Sequence, residues 1–133
     1  MVCKMLLFDF RDTEQLFFEK NKLDNFDITF YKDSLNEKML AHLSDEELEN
    51  TTAISVYKFS RLNDKVLQYF KNLRVVAFRT NDFKHIDLKT CVERNIAVVC
   101  VETAEIENEY SILSKSFKQV TEVLCGCRDN RII

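Results

Sequence analysis

Short β-rich apolar runs alternate with segments of helical pattern along most of the chain, and this alternation narrows the possible folds to a few. Val2 to Phe8 (VCKMLLF) reads as a first strand. Asp12 is expected to cap a helix from Thr13 to about Lys20, with Leu16, Phe17 and Phe18 on its apolar face. Phe26 to Tyr31 (FDITFY) alternates in polarity and predicts a second strand with the look of an edge. Ser34 followed by Glu37 has the pattern of a capping box, opening a helix that carries Leu35, Met39, Leu40 and Leu43. The acidic stretch Asp45 to Asn50 reads as a solvated connection. Thr52 to Tyr57 is a third strand, and Asn63 or Asp64 opens a helix through Val66, Leu67 and Phe70. Arg74 to Phe78 is a fourth strand. Asp87 caps a helix through Leu88, Cys91 and Val92, and Ile96 to Val101 is a fifth strand, apolar on both faces.

Strands that alternate with helices imply parallel βαβ units, and continuous apolar strands imply helices on both faces of the sheet. Right-handed crossovers then predict an α/β fold: a flavodoxin-like, doubly wound, five-stranded parallel sheet in the order 2-1-3-4-5. A long helix from about Glu105 to Leu124 closes the pattern. Its Ile106, Tyr110, Leu113, Phe117, Val120 and Leu124 recur at alternating intervals of four and three, the seam of a helix lying along one surface. At 133 residues the chain is expected to form one domain.

Net charge is −3 with acidic and basic residues interspersed, which gives no electrostatic reason to expect nucleic acid or an anionic membrane as partner. No apolar stretch has the length of a membrane span, and the apolar run up to Phe8 is too short for a signal peptide. Five cysteines, scattered through apolar segments, suggest a reducing compartment and a cytoplasmic protein. There is one glycine, Gly126, and no proline. Loops that cradle phosphates use glycine to bring the backbone close to the anion. The chain has neither GxGxxG nor a P-loop, so no cofactor is expected on it.

From Ala53 to Val101 the residues AISVYKFSRLNDKVLQYFKNLRVVAFRTNDFKHIDLKTCVERNIAVVCV resemble, segment by segment, the D-isomer-specific 2-hydroxyacid dehydrogenases. Arg79, Thr80, Phe83, His85, Ile86, Asp87 and Leu88 stand in register with the family's Arg-Ser/Thr-x-Gly-Phe/Tyr-x-His/Asn-Ile-Asp-Leu motif. LLFDFRDTEQLFF and FDITFYKDSLNEKML look like the first two βα units of the family's substrate (catalytic) domain, so the resemblance covers residues 1–101. Beyond Val101, ETAEIENEY replaces the loop that leads into the family's nucleotide domain. The stretch from Ser111, ending in Val123-Leu124-Cys125-Gly126 and Asn130 to Ile133, is similar to the C-terminal helix that returns onto the substrate domain. The resemblance thus implies a truncated, rejoined domain: βα units over 1–101, then a helix and tail over 102–133.

The resemblance also implies that a substrate carboxylate is held by backbone N–H groups after the fourth strand, here Arg79-Thr80-Asn81-Asp82-Phe83. Asp82 stands where the family has glycine, so a side chain restricts the backbone there and a carboxylate repels an anion. Lys84 offsets that charge without restoring glycine's freedom. The family's catalytic Arg, Glu and His lie in or beside the missing domain, so no catalytic residue is expected in this chain. His85 belongs to the His/Asn-Ile-Asp motif and is expected to pack or hydrogen-bond beneath the loop, and His42 to lie on a helix surface. With two histidines and no paired cysteines beside them, a metal site is not expected. Cys125-Gly126-Cys127 reads as a helix C-cap rather than a redox pair, and Cys91 and Cys100 as core residues. Asp9 and Asp12 suggest the acidic pocket of a receiver domain, but Tyr57-Lys58 and Val101-Glu102 lack its further Asp and Lys. Tyr57 and Phe59 either line a pocket for a small acid or shield the sheet.

Three functions remain open. The first is a non-catalytic binding or interaction module whose partner is a small carboxylic acid or a protein. The second is a component of an NAD-dependent oxidoreductase acting on D-2-hydroxy acids, completed by a separate nucleotide domain. The third is an oligomer or scaffold formed through apolar surface near Val101 to Tyr110.

Overall fold

Five strands of four or five residues lie parallel in the order β2-β1-β3-β4-β5. They are β1 (Cys3–Leu7), β2 (Phe26–Phe30), β3 (Ala53–Val56), β4 (Val75–Phe78) and β5 (Ala97–Cys100). The computed structural model describes residues 2–82, 84–101 and 109–124. The sheet has the expected order, with helices around it. Every side chain of β3 and β4 is buried, as strands covered on both faces require. In β2 the burial is only partial, as befits an edge.

Two apolar layers flank the sheet. On one face, α3 (Asp64–Leu67) and α4 (Leu88–Glu93) contribute Val66, Leu67 and Cys91 to a core with Leu6, Ile54, Val76 and Val98. On the other, α1 (Gln15–Lys20) and α5 (Glu109–Leu124) place Phe17, Leu113, Phe117, Val120 and Val123 against Met5, Leu7, Ala77 and Val99. The seam of the last helix therefore packs as its spacing predicts, although Val123 lies deeper than Leu124. Ile106 and the start expected at Glu105 fall outside the described residues, as do Cys125, Gly126, Cys127 and the tail. No described helix is long and apolar enough to cross a membrane.

Several local expectations are corrected. Asp12 does not cap a helix: it begins a 3-10 turn, Asp12–Glu14, and pairs at the surface with Lys32 at 3.3 Å. The predicted capping box at Ser34 opens no helix, and only a 3-10 turn, Met39–His42, forms there. The Ser34 hydroxyl donates to Asp9. The acidic "connection" is itself a helix, α2 (Asp45–Asn50), opened by a reciprocal box. The Glu47 N–H donates to Ser44 Oγ and the Ser44 N–H to Glu47 Oε1, both at 3.0 Å. Asn63 and Asp87 cap α3 and α4 as expected, accepting from the N–H groups of Val66 and Thr90. α3 stops at Leu67, and the Arg94 guanidinium takes up the carbonyls of Leu67 and Phe70 beyond it. Asn95 ends α4 at φ 59°, the left-handed position that this glycine-poor chain gives to the next most tolerant residue.

Candidate functional site

Parallel strands deliver their following loops to one end of the sheet, and three of those loops meet at the carboxyl ends of β1, β3 and β4. The loop after β1 turns at Asp9, which is buried with φ 57°. An aspartate tolerates that conformation better than most residues. The turn aims its carboxylate at the loop after β3. There Oδ2 accepts the Tyr57 N–H at 3.0 Å and the Ser60 hydroxyl at 2.8 Å, while Oδ1 accepts the Ser34 hydroxyl. Ser60 Oγ accepts the Leu35 N–H at 2.8 Å, so one carboxylate ties together the segments after β1, β2 and β3.

Beside this hub lies an ion pair that no local sequence pattern predicts. Arg79, the residue after β4, turns its side chain inward and is fully buried. Its Nε donates to Glu14 Oε2 at 2.6 Å and one terminal nitrogen to Glu14 Oε1 at 3.2 Å. The remaining donors reach Ser55 Oγ at 3.0 Å, the Phe8 carbonyl at 2.9 Å and the Asp9 carbonyl at 3.0 Å. Burial pushes the Arg79 guanidinium below its ordinary value, while the Glu14 carboxylate pulls it back up. Glu14 also accepts the Arg11 N–H at 3.0 Å. All three guanidinium nitrogens thus donate to protein acceptors. The Arg79 side chain forms a cross-brace between the loops after the first and fourth strands.

The segment beyond Arg79 is the one in which the resemblance implies a bound carboxylate. Thr80 is mostly buried and Asn81 exposed, while Phe83 lies outside the described residues. The Asp82 N–H donates to Thr80 Oγ1 at 3.3 Å, and the Lys84 N–H to Asp82 Oδ1 at 3.4 Å. Lys84 Nζ also sits 3.8 Å from Asp82 Oδ2. These contacts direct loop amides to the loop's own side chains, where the resemblance implies a bound carboxylate. His85 closes the loop. Its carbonyl accepts the Leu62 N–H at 2.8 Å, and its Nδ1 lies 3.3 Å from the Arg61 guanidinium.

Tyr57 is half-buried with the Arg11 guanidinium 4.0 Å above its ring, and Phe59 meets it edge-on at 5.7 Å. Phe59 is 61% exposed, so it covers little of the sheet. Lys58 Nζ lies 5.6 Å from both rings. Among the described residues no group of three His, Cys, Asp or Glu side chains is placed to hold a metal ion. Cys3, Cys91 and Cys100 are thiols, and burial pushes Cys91 up to about 11 and Cys3 above its ordinary value, away from nucleophilic use. A dinucleotide does not fit the described turns: the strand-to-helix connections carry no glycine, and the first presents Asp9, Asp12 and Glu14 where a pyrophosphate needs N–H groups. A cleft of about 410 Å³ opens at the opposite, amino end of the sheet, beside Val2, Cys3, Phe26, Thr52, Arg74 and Leu124. We place the candidate site at the carboxyl ends all the same, because open parallel sheets bind ligands there.

The strand order and the loops gathered at one end of the sheet define a doubly wound α/β domain. The model of the D-isomer specific 2-hydroxyacid dehydrogenase catalytic domain matches residues 5–108, and the chain belongs to that family. Solved structures share its fold. The apo D-lactate dehydrogenase from Escherichia coli superposes with a TM-score of 0.64 and 19% identity over 77% of this chain and 32% of that one. The D-lactate dehydrogenase from Aquifex aeolicus, complexed with NAD and lactic acid, gives 0.64 and 20% over 89% and 33%. The D-lactate dehydrogenase from Treponema pallidum gives 0.63 and 22% over 77% and 30%. The chain spans about a third of the length of these enzymes. No curated protein matches it.

Proposed function

We propose that this chain is a non-catalytic descendant of the 2-hydroxyacid dehydrogenase substrate domain, serving as a small binding or interaction module. The observation that carries the proposal is the self-satisfied loop after β4, with Thr80 and Asp82 occupying amides and Arg79 turned inward onto Glu14. The exposed rim of Tyr57, Lys58 and Phe59 offers stacking and positive charge to a partner, whether a small carboxylic acid or a protein. Nothing in the net charge favours nucleic acid or a membrane. The thiols at Cys3, Cys91 and Cys100 suit a cytoplasmic setting. Titration with NADH and a panel of 2-oxo and 2-hydroxy acids tests the reading. Absence of NADH binding and of any turnover supports it, and reduction of a 2-oxo acid by NADH refutes it.

A second reading is favoured by one observation, that the chain spans only a third of its solved relatives. In it the chain is a component of an NAD-dependent oxidoreductase acting on the CH–OH group of D-2-hydroxy acids, with a separate nucleotide domain supplying NAD. An adjacent reading frame with GxGxxG and the family's Arg, Glu and His motifs favours it, and unrelated sequence there counts against it.

A further inference from the structure

Among the described residues β2 pairs only with β1, which leaves its other edge without a strand there, and the chain has no proline to interrupt that edge. The parallel ladder uses the backbone groups of alternate residues. Asn25 accepts from Cys3 and Tyr31 donates to Leu7, both directed at β1. Phe26, Ile28 and Phe30, on the other parity, therefore present backbone groups outward. Their side chains share the face packed by α1 and α5, where Phe30 touches Phe10 and Phe18, yet Phe30 stays 41% exposed.

We propose that this edge is a homodimer interface, with β2 of two copies pairing antiparallel about a twofold axis at Ile28. The segment Asp24-Asn25-Phe26-Asp27-Ile28-Thr29-Phe30-Tyr31-Lys32 is self-complementary in that register alone. Ile28 faces its own copy as a hydrogen-bonded pair. Phe26 faces Phe30 twice, which covers the exposed ring with an aromatic cross-strand partner. Asp27 faces Thr29. The turn entering the strand carries Asp24 and the bend leaving it carries Lys32, both exposed, so opposite charges meet at each end. A shift of two residues one way sets Asp27 against Asp27, and the other way sets Lys32 against Phe26. The interface lies away from the carboxyl-end loops, and joins two five-stranded sheets into one continuous sheet.

Sedimentation equilibrium of the full chain over a wide concentration range tests this, with circular dichroism to confirm that each variant folds. The wild type is expected to dimerise. Asp24→Lys alone and Lys32→Asp alone each weaken the dimer roughly tenfold, because the like-charge contact recurs twice by symmetry. The double variant restores it, and Phe30→Asp abolishes it. A wild type that stays monomeric overturns the proposal. So does a dimer indifferent to Phe30→Asp and to the single charge reversals, or one that the double variant fails to restore.

Discussion

Glu14 and Arg79, separated by 65 positions in sequence, meet as a fully buried ion pair at 2.6 Å. Arg79 is the first residue of the family's anion-loop motif, and Glu14 lies in the 3-10 turn after the first strand. A buried pair of this kind gains little over an apolar pair, but losing one member strands the other charge without solvent. Glu14→Gln and Arg79→Met are each expected to cost about 3–5 kcal/mol in urea unfolding. The double replacement should cost clearly less than the sum, since neither charge is then left alone. Strict additivity contradicts the coupling.

Asp9 holds three donors from two segments, so Asp9→Ala should destabilise the fold by about 1–3 kcal/mol and speed amide exchange at Tyr57. Asp9→Asn, which keeps an acceptor and tolerates φ 57°, should be milder. Equal exchange at Tyr57 in wild type and Asp9→Ala would remove Asp9 from its role as hub.

The order of the sheet was legible from sequence because each strand is a short apolar run and right-handed crossovers leave few arrangements. The caps at Asn63 and Asp87 were legible for the same local reason. The Ser-x-x-Glu pattern occurs at Ser34 and again at Ser44, and only the second opens a helix. At Ser34 the hydroxyl donates to Asp9 across 25 positions, and the chain forms only the 3-10 turn Met39–His42 beyond it. The motif marks the segment after β4, but the direction of the Arg79 side chain depends on Glu14, which lies on another βα unit. Local periodicity carries no information about such a pair.

Tyr31 donates its hydroxyl to Glu47 at 2.5 Å, and burial together with that carboxylate pushes the phenol up to about 12. Its folded-state value lies above the unfolded one, so the stability it contributes is complete below about pH 10 and is lost as pH rises towards about 12. Alkaline absorbance titration should show one of the four tyrosines ionising late, and Tyr31→Phe should remove that phase. A late phase surviving in Tyr31→Phe assigns it elsewhere.

Burial opposes ionisation of Glu47, but the Ser44 N–H, the Tyr31 and Ser44 hydroxyls and Lys4 together take its carboxyl below the ordinary value. The sign is opposite to that of Tyr31: the contribution is present above the unfolded carboxylate value and lost as pH falls through the folded one. Ser44→Ala should cost about 1 kcal/mol at neutral pH, with the deficit shrinking in acid as Glu47 protonates. A deficit constant with pH would detach the cap from Glu47.

Asp82→Gly restores the glycine that the family's loop carries and removes both the carboxylate and its bond to the Lys84 N–H. If the closed loop is what separates this chain from its relatives, the variant should gain measurable affinity for a small 2-oxo acid such as pyruvate. The most direct measurement is calorimetric titration of pyruvate and of NADH into the wild-type chain and into Asp82→Gly. The loop account predicts no heat from either ligand with the wild type, and pyruvate binding without NADH binding in the variant. Tight binding of both ligands by the wild type, with NADH consumed, would contradict it.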